Sequence, residues 1–97
     1  MKINLKSYNN LSEMISLTLR EEIDETADEE WKSILQYAVD HGVIYCEKKI
    51  HCIWAGMLLR DFIDELSGMV ENSKCMGLDT TMEEELIDTV RDILEEM

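Results

Sequence analysis

The chain of 97 residues has no proline, only four glycines and no apolar run long enough to span a bilayer. Without proline or a glycine- or serine-rich tract, no segment is typical of a linker between domains. The first residues alternate between polar and apolar, so they lack the continuous apolar segment of a secretory signal peptide. From these absences we expect a single cytoplasmic domain that covers residues 1–97 and makes no contact with a membrane.

Basic residues are also scarce, because nine Lys and Arg stand against 22 Asp and Glu and leave a net charge of −13. Direct binding to nucleic acid or to anionic lipid requires Lys and Arg that neutralise phosphate, so neither is an expected partner. The one basic pair, Lys48–Lys49, is too small to indicate a helix-turn-helix or winged-helix DNA reader. A protein with a basic surface would instead be attracted to this chain.

Cysteine is sparse as well, and three thiols do not make a paired disulfide framework. Four residues with zinc-binding side chains, His41, Cys46, His51 and Cys52, do fall within twelve residues. Their spacing lacks the short Cys-x-x-Cys type of knuckle that opens most structural zinc sites, so we expect no metal and no cofactor. We interpret Cys46 and Cys52 as buried core thiols and Cys75 as an exposed thiol in a loop.

Catalytic signatures are missing from the sequence. Cys46 or Cys52 with a histidine would make a nucleophile and its base, but no glycine-rich oxyanion loop or third residue accompanies them. The dinucleotide-binding, P-loop and H-E-x-x-H motifs do not occur. We therefore expect no enzymatic activity, and a zinc- or thiol-dependent protein is kept only as a third functional alternative.

Hydrophobic periodicity predicts most of the secondary structure. Alternation from Met1 to Lys6 predicts a short strand. Apolar stripes at helical spacing predict four helices, near residues 11–24, 27–40, 55–72 and 81–96, with a loop over 72–79. Capping boxes are expected at Asn10 with Glu13, Thr26 with Glu29 and Thr80 with Glu83, and Gly42 is expected to end the second helix.

Residues 43–54 are compatible with two structures. Their β-branched and aromatic residues favour a hairpin in which a three-residue loop, Glu47–Lys49, joins two short strands. The competing pattern is a helix whose apolar face uses Val43, Cys46, Ile50, Ile53 and Met57. With the hairpin, the fold class is α+β and mainly helical, with about four helices and a small antiparallel sheet of two or three strands. Without the hairpin, the alternative is an all-α bundle.

Two acidic runs dominate the charge. Residues 21–30 hold seven acids and no base, and the last helix holds seven acids with Arg91 as its one base. Carboxylates four residues apart on a helix are ~6 Å apart along its axis, the same order as the charge spacing of a nucleic-acid duplex. Such rows could imitate a phosphate backbone on a folded surface. The expected partner-binding residues are Glu21, Glu22, Glu25, Asp28 and Glu29, followed by Glu84, Glu85, Asp88 and Asp92.

The leading functional hypothesis is a small acidic binding protein that inhibits or modulates a nucleic-acid-handling protein by electrostatic mimicry. Its size and charge are typical of anti-defence inhibitors from phages and mobile elements, anti-CRISPR proteins among them, which is an analogy of type rather than of sequence. The alternative is a helical adaptor or homodimer with apolar contacts, in which the charge serves solubility. Its candidate contact residues are Trp31, Tyr37, Tyr45, Trp54, Met57 and Met69.

Overall fold

A computed structural model describes residues 2–7 and 11–96, with the backbone alone at Ser7 and Ser12. The helices and strands follow one another as β1 (Lys2–Asn4), α1 (Leu11–Glu25), α2 (Glu29–His41), β2 (Val43–Tyr45), α3 (Lys49–Cys75) and α4 (Thr81–Glu96). A short 3-10 helix, Leu5–Ser7, lies between β1 and α1. The chain divides into two compact units, Met1–Ala55 and Gly56–Met97, and the division falls within α3.

The first unit contains a two-stranded antiparallel sheet. Its register pairs Lys2 with Tyr45, Ile3 with Ile44 and Asn4 with Val43. Because side chains alternate between the two faces of a strand, Ile3 and Ile44 both face inward and are buried, whereas the flanking pairs turn outward. The Leu5 N–H extends the ladder by donating to the Gly42 carbonyl at 2.8 Å. The first strand is therefore confirmed, but it is shorter than predicted, and Met1 lies outside the described residues.

Helices α1 and α2 form where the apolar periodicity predicts them. Leu11, Ile15 and Leu19 recur every four residues along α1 and are almost completely buried. On α2 the buried residues include Trp31 and Leu35. Gly42 ends α2 in the left-handed conformation with φ of 70°, and its N–H donates to the Ala38 carbonyl at 2.8 Å. This confirms the predicted end of the second helix.

The start of α2 corrects one prediction, because Asp28 rather than Thr26 is its N-cap. The Asp28 Oδ1 accepts a hydrogen bond from the Trp31 N–H at 2.9 Å. Thr26 Oγ1 accepts from the Asp28 N–H at 3.3 Å, one step before the helix. Asp28 directly precedes the helix, so its carboxylate can reach the free N–H of the third helical residue, Trp31. Thr26 lies two residues earlier in the chain than this N-cap position. In the other predicted box near α1, Asn10 lies outside the described residues.

The predicted hairpin over residues 43–54 is wrong in its second half. Strand β2 ends at Tyr45 and pairs with β1, and α3 begins at Lys49 instead of near residue 55. The proposed loop has no Gly, Asn or Asp to adopt the positive φ of a tight turn. The competing helix was also placed on the wrong face, because Ile50 and Ile53 are about half exposed. The buried positions of this part of α3 are His51, Ala55, Leu58, Leu59 and Phe62.

The second unit is a helical hairpin made of the remainder of α3 and α4. Helix α3 continues to Cys75, three residues further than predicted, and α4 matches its predicted bounds. Gly77 ends α3 with φ of 76°, and the Leu78 N–H donates to the Ser73 carbonyl at 2.9 Å, which makes a Schellman-type stop. At the start of α4 the Thr80 carbonyl accepts from the Glu84 N–H at 3.0 Å, as its predicted N-cap position requires.

Buried apolar side chains explain why these elements hold together. In the second unit the buried residues of α3 are Leu58, Leu59, Phe62, Ile63, Leu66 and Val70, and those of α4 are Leu86, Ile87, Val90 and Ile93. Both sets recur at intervals of three or four residues, so each helix presents one apolar face. The predicted α+β, mainly helical fold class is confirmed, and the described part of the chain forms four α-helices and one small antiparallel sheet. Within the described residues, no helix combines the length and apolar character needed to cross a membrane.

Candidate functional site

The first acidic run, residues 21–30, is partly used inside the protein. The Glu22 Oε1 accepts a hydrogen bond from the Trp31 Nε1–H at 3.4 Å, and both residues belong to the first unit. Asp28 caps α2, and its Oδ1 lies 3.9 Å from the His51 Nε2. Glu22 and Asp28 are also only half exposed. Two of the five residues predicted first for partner binding therefore already serve local structure.

Lysines neutralise two further acids of this run. Lys48 Nζ lies 2.6 Å from the Glu30 carboxylate, and this hydrogen bond raises the pKa of Lys48. Lys32 Nζ lies 3.9 Å from the Glu29 carboxylate, one turn away on α2. Neither ion pair is buried, so each contributes little to stability, but each reduces the negative field of the run. What remains outward and exposed is a short set at the end of α1, made of Glu21, Asp24 and Glu25.

The second acidic run forms a longer row on α4. Steps of three or four residues connect five exposed acids, and we call them the acidic row: Glu85, Asp88, Asp92, Glu95 and Glu96. Such steps keep the side chains within about a third of the helix circumference and spread them over ~16 Å of its axis. The buried residues of α4, such as Leu86 and Val90, occupy the opposite face. Three of the four α4 residues predicted for partner binding belong to this row.

Glu84, the fourth, lies beside a groove of mixed charge. An open groove of ≈ 480 Å³ runs between α3 and α4 within the second unit, with Val70 and Ile87 as its apolar lining. Lys74 Nζ, on its rim, lies 2.7 Å from the Glu84 carboxylate and joins the last turn of α3 to the first turn of α4. Arg91 adds a second base to the same groove, and Asp88, a member of the acidic row, also lines it. Because both signs of charge meet here, the groove lacks the one-sided field that mimicry requires.

The net charge is unequally divided between the two units. Residues 56–97 contain twelve acids and three bases, which gives −9, whereas residues 1–55 contain ten acids and six bases, which gives −4. Counting acids in each run does not reveal this difference, since both runs hold seven. The second unit therefore carries most of the negative charge that would attract a cationic partner.

An aromatic cluster surrounds His51 in the first unit. Its ring stacks on Trp31 with 5.8 Å between ring centroids, and the Trp54 ring is 5.5 Å from it. His51 is 3 % exposed, so it belongs to the core of this unit. His41 is the exposed histidine, and its ring centroid lies 4.4 Å from that of Tyr37 at the end of α2.

The three thiols differ in burial, because Cys46 is buried as predicted, Cys52 is only half-buried although it was predicted to be buried, and Cys75 is exposed. Cys46 is fully buried after β2, and burial, with the neighbouring Cys52 thiol as a smaller cause, raises its pKa to about 11. The Cys52 Sγ donates to the Cys46 carbonyl at 3.7 Å, and Cys75 is exposed at the end of α3. A thiol held protonated at neutral pH is a poor nucleophile and a poor metal ligand. Across residues 2–7 and 11–96, no three His, Cys, Asp or Glu side chains are grouped so as to hold a metal ion.

Exposed apolar side chains form the other candidate surfaces. Of the residues predicted for apolar contacts, Tyr37, Tyr45, Met57 and Met69 are exposed, Trp54 is half-buried and Trp31 is buried. Tyr37 and Tyr45 meet edge to face with 5.4 Å between ring centroids, and Lys2 Nζ lies 5.6 Å from the centre of the Tyr45 ring. Met76, Leu78 and Met82 were not predicted as contact residues, but they are 74 %, 57 % and 55 % exposed. Their position beside the α3–α4 connection was the available signal.

Comparison with known proteins supplies no further constraint, since no family model, no curated protein and no solved structure matches the chain.

Proposed function

We propose that this protein is a non-enzymatic inhibitor or modulator of a nucleic-acid-handling protein, whose basic surface it occupies by electrostatic mimicry. The acidic row on α4 would stand in for a run of phosphates and enter the groove that normally receives nucleic acid. An anti-defence inhibitor of a phage or mobile element, of the anti-CRISPR type, is the biological setting that this mode of action favours. No nucleic acid, metal or cofactor takes part in the proposed interaction.

The acidic row is the observation that carries the proposal. Its five carboxylates are exposed, follow one face of a single helix and lie in the unit whose net charge is −9. A net charge of about 2 to 8 in magnitude suffices to keep a small domain soluble, so the second unit alone exceeds that need. Repulsion within such a row lowers stability, and a cationic partner would relieve this cost.

The test is retention of a partner from host lysate, followed by displacement. Immobilised wild-type protein should retain a protein that binds duplex DNA, and added duplex DNA should release it because both compete for one basic surface. The substitutions Glu85→Lys, Asp88→Lys and Asp92→Lys together should reduce retention by about tenfold or more. Retention should also fall steeply from low to moderate ionic strength. A retained protein that duplex DNA fails to displace would contradict mimicry.

The exposed pair of tyrosines, Tyr37 and Tyr45, supports a second candidate function, a helical adaptor or homodimer with apolar contacts. Exposed tyrosines are enriched at protein interfaces, and these two present their rings together beside β2. Under this alternative, Tyr37→Ala with Tyr45→Ala weakens self-association in sedimentation measurements, and the α4 substitutions leave it unchanged. Under mimicry, the α4 substitutions weaken retention of the partner, and the tyrosine substitutions leave it unchanged.

A further inference from the structure

Three large apolar side chains are exposed around the connection between α3 and α4. Met76 is 74 % exposed, Leu78 57 % and Met82 55 %, and we call these three residues the hairpin tip. They lie within seven residues of one another in the chain, at the end of the second unit where α3 stops and α4 begins. Burying exposed apolar side chains lowers the free energy, so a partner that covered these three residues would gain from the contact. Clusters of exposed apolar side chains mark interaction sites in many proteins, and these three residues are neighbours in the chain.

The hairpin tip is held in place by hydrogen bonds of the backbone. The Gly77 N–H donates to the Lys74 carbonyl at 3.1 Å, and the Leu78 N–H donates to the Ser73 carbonyl at 2.9 Å. On the other side, the Asp79 Oδ1 accepts from the Thr81 N–H at 3.0 Å and from its hydroxyl at 2.6 Å. These bonds lower the pKa of Asp79, so its carboxylate stays charged beside the tip. A connection that is already ordered loses little entropy when a partner binds.

Charge decides which partner can cover the hairpin tip. A second copy of this chain would bring another unit of net charge −9 against the first, and an anionic membrane would be repelled in the same way. Asp79 and Glu85 are exposed close to the tip in sequence, and Glu83 is half exposed between them. An occupant with an apolar face and flanking positive charges satisfies both features at once.

We propose that the hairpin tip docks a cationic amphipathic helix, whose apolar face covers Met76, Leu78 and Met82 while its Lys or Arg residues face the surrounding carboxylates. Methionine suits this role because its flexible, polarizable side chain adapts to the shape of different apolar partners. Recognition of a helix by one apolar face is a common mode of peptide binding. The inference rests on the proposed function in one respect, the basic partner, and adds an apolar anchor at residues that mimicry does not use.

A synthetic helix tests the inference without knowledge of the natural partner. The probe is a fluorescent peptide of about 18 leucines and lysines patterned as an amphipathic helix, and its control has the same composition in a scrambled order. Fluorescence anisotropy would measure binding to wild-type protein, to the variant Met76→Ser with Leu78→Ser, and to Met82→Ser alone. Leu17→Ser is the matched control, because Leu17 is 66 % exposed on α1.

The double substitution at the tip should weaken binding of the patterned peptide by about tenfold, with a smaller loss for Met82→Ser. Leu17→Ser should bind like wild type, and the scrambled peptide should bind weakly to every variant. Equal affinity of the patterned and scrambled peptides, or no effect of either tip variant, would overturn the inference. Those results would leave mimicry standing if duplex DNA still displaces the natural partner, so the two proposals can fail separately.

Discussion

Trp31 and His51 stack face to face, with 5.8 Å between ring centroids and 16° between ring planes. The contact joins the first turn of α2 to the first turn of α3 at the point where the chain leaves the small sheet. Both rings are buried, and Trp54 closes the cluster edge to face against Trp31 at 5.7 Å. His51 therefore stabilises the first unit by packing, which gives this buried histidine a structural role.

This stack gives the first prediction, which is that replacing the two histidines changes the stability of the protein by different amounts. His51→Ala should lower the free energy of unfolding by about 2–4 kcal/mol, because it removes a buried ring and leaves a cavity. His41→Ala should cost less than about 1 kcal/mol, since its ring is exposed. Urea unfolding followed by tryptophan fluorescence would measure both. Equal losses for the two variants would mean that the stack contributes nothing beyond the surface contact of His41.

Local signals in the sequence were sufficient for most of the fold. Gly42 marked the end of α2 because a left-handed backbone at the end of a helix favours glycine, and four-residue spacing located α1 and α4. Residues 46–54 could not be assigned in this way. Strand β2 finds its partner in β1, some forty residues earlier in the chain, and the burial of His51 depends on Trp31 from another helix. Such tertiary contacts outweigh a high β-propensity.

The candidate site shows the same limit. The sequence shows that the chain is acidic and where its two acidic runs lie. It does not show which of these acids contact residues that are distant in the chain. Lys48 neutralises Glu30 from 18 residues away, and Glu22 accepts from the Trp31 indole. The exposed tip residues Met76 and Leu78 were also missed, because an apolar residue beside a turn has no periodic pattern to reveal whether it is buried.

The second prediction concerns the N-cap of α2. Asp28→Ala should destabilise the protein by about 1 kcal/mol, because the Trp31 N–H loses its acceptor at the helix start. Asp28→Ser should restore most of this loss, since its hydroxyl can accept the same bond. Thr26→Ala should cost less, because its bond at 3.3 Å lies before the helix. If Thr26→Ala proved the more damaging of the two alanine variants, Thr26 would be the functional cap.

The third prediction compares two glycines of the second unit. A Cβ atom added at Gly68 or at Gly77 would meet no atom within 4 Å, so neither substitution creates a clash. Gly68 lies inside α3, where alanine should stabilise the helix by about 0.5–1 kcal/mol. Gly77 has φ of 76°, so Gly77→Ala should destabilise by about 1 kcal/mol. Thermal unfolding would place the two variants on opposite sides of wild type, and shifts of the same sign would contradict the backbone argument.

The fourth prediction concerns the thiols. Iodoacetamide at pH 8 should modify Cys75 first and Cys46 last, because the reagent attacks thiolates and the buried Cys46 stays protonated. The pKa of Cys46 is raised from 9.0 to about 11, so the stabilising effect of its protonated form is complete below pH 9 and is lost as pH rises toward 11. Peptide mass spectrometry would follow the modification. In Cys46→Ala, the fall in stability between pH 9 and 11 should be smaller than in wild type.

The fifth prediction ranks the two acidic runs by their effect on partner binding. Glu85→Lys, Asp88→Lys and Asp92→Lys on α4 change the net charge by the same amount as Glu21→Lys, Asp24→Lys and Glu25→Lys at the end of α1. All six positions are exposed, so a general change of charge would weaken retention of a basic partner equally in both variants.

The α4 variant should lose several times more affinity, because α4 belongs to the unit whose net charge is −9. In the first unit, Lys32 and Lys48 already offset part of the negative charge of residues 21–30. Titration of the retained partner against each variant at one fixed ionic strength would measure the difference. Lysines at the last turn of α1 also suit the helix dipole, so a larger loss for the α1 variant could not be ascribed to an unfolded helix. That larger loss would transfer the binding surface to the first unit.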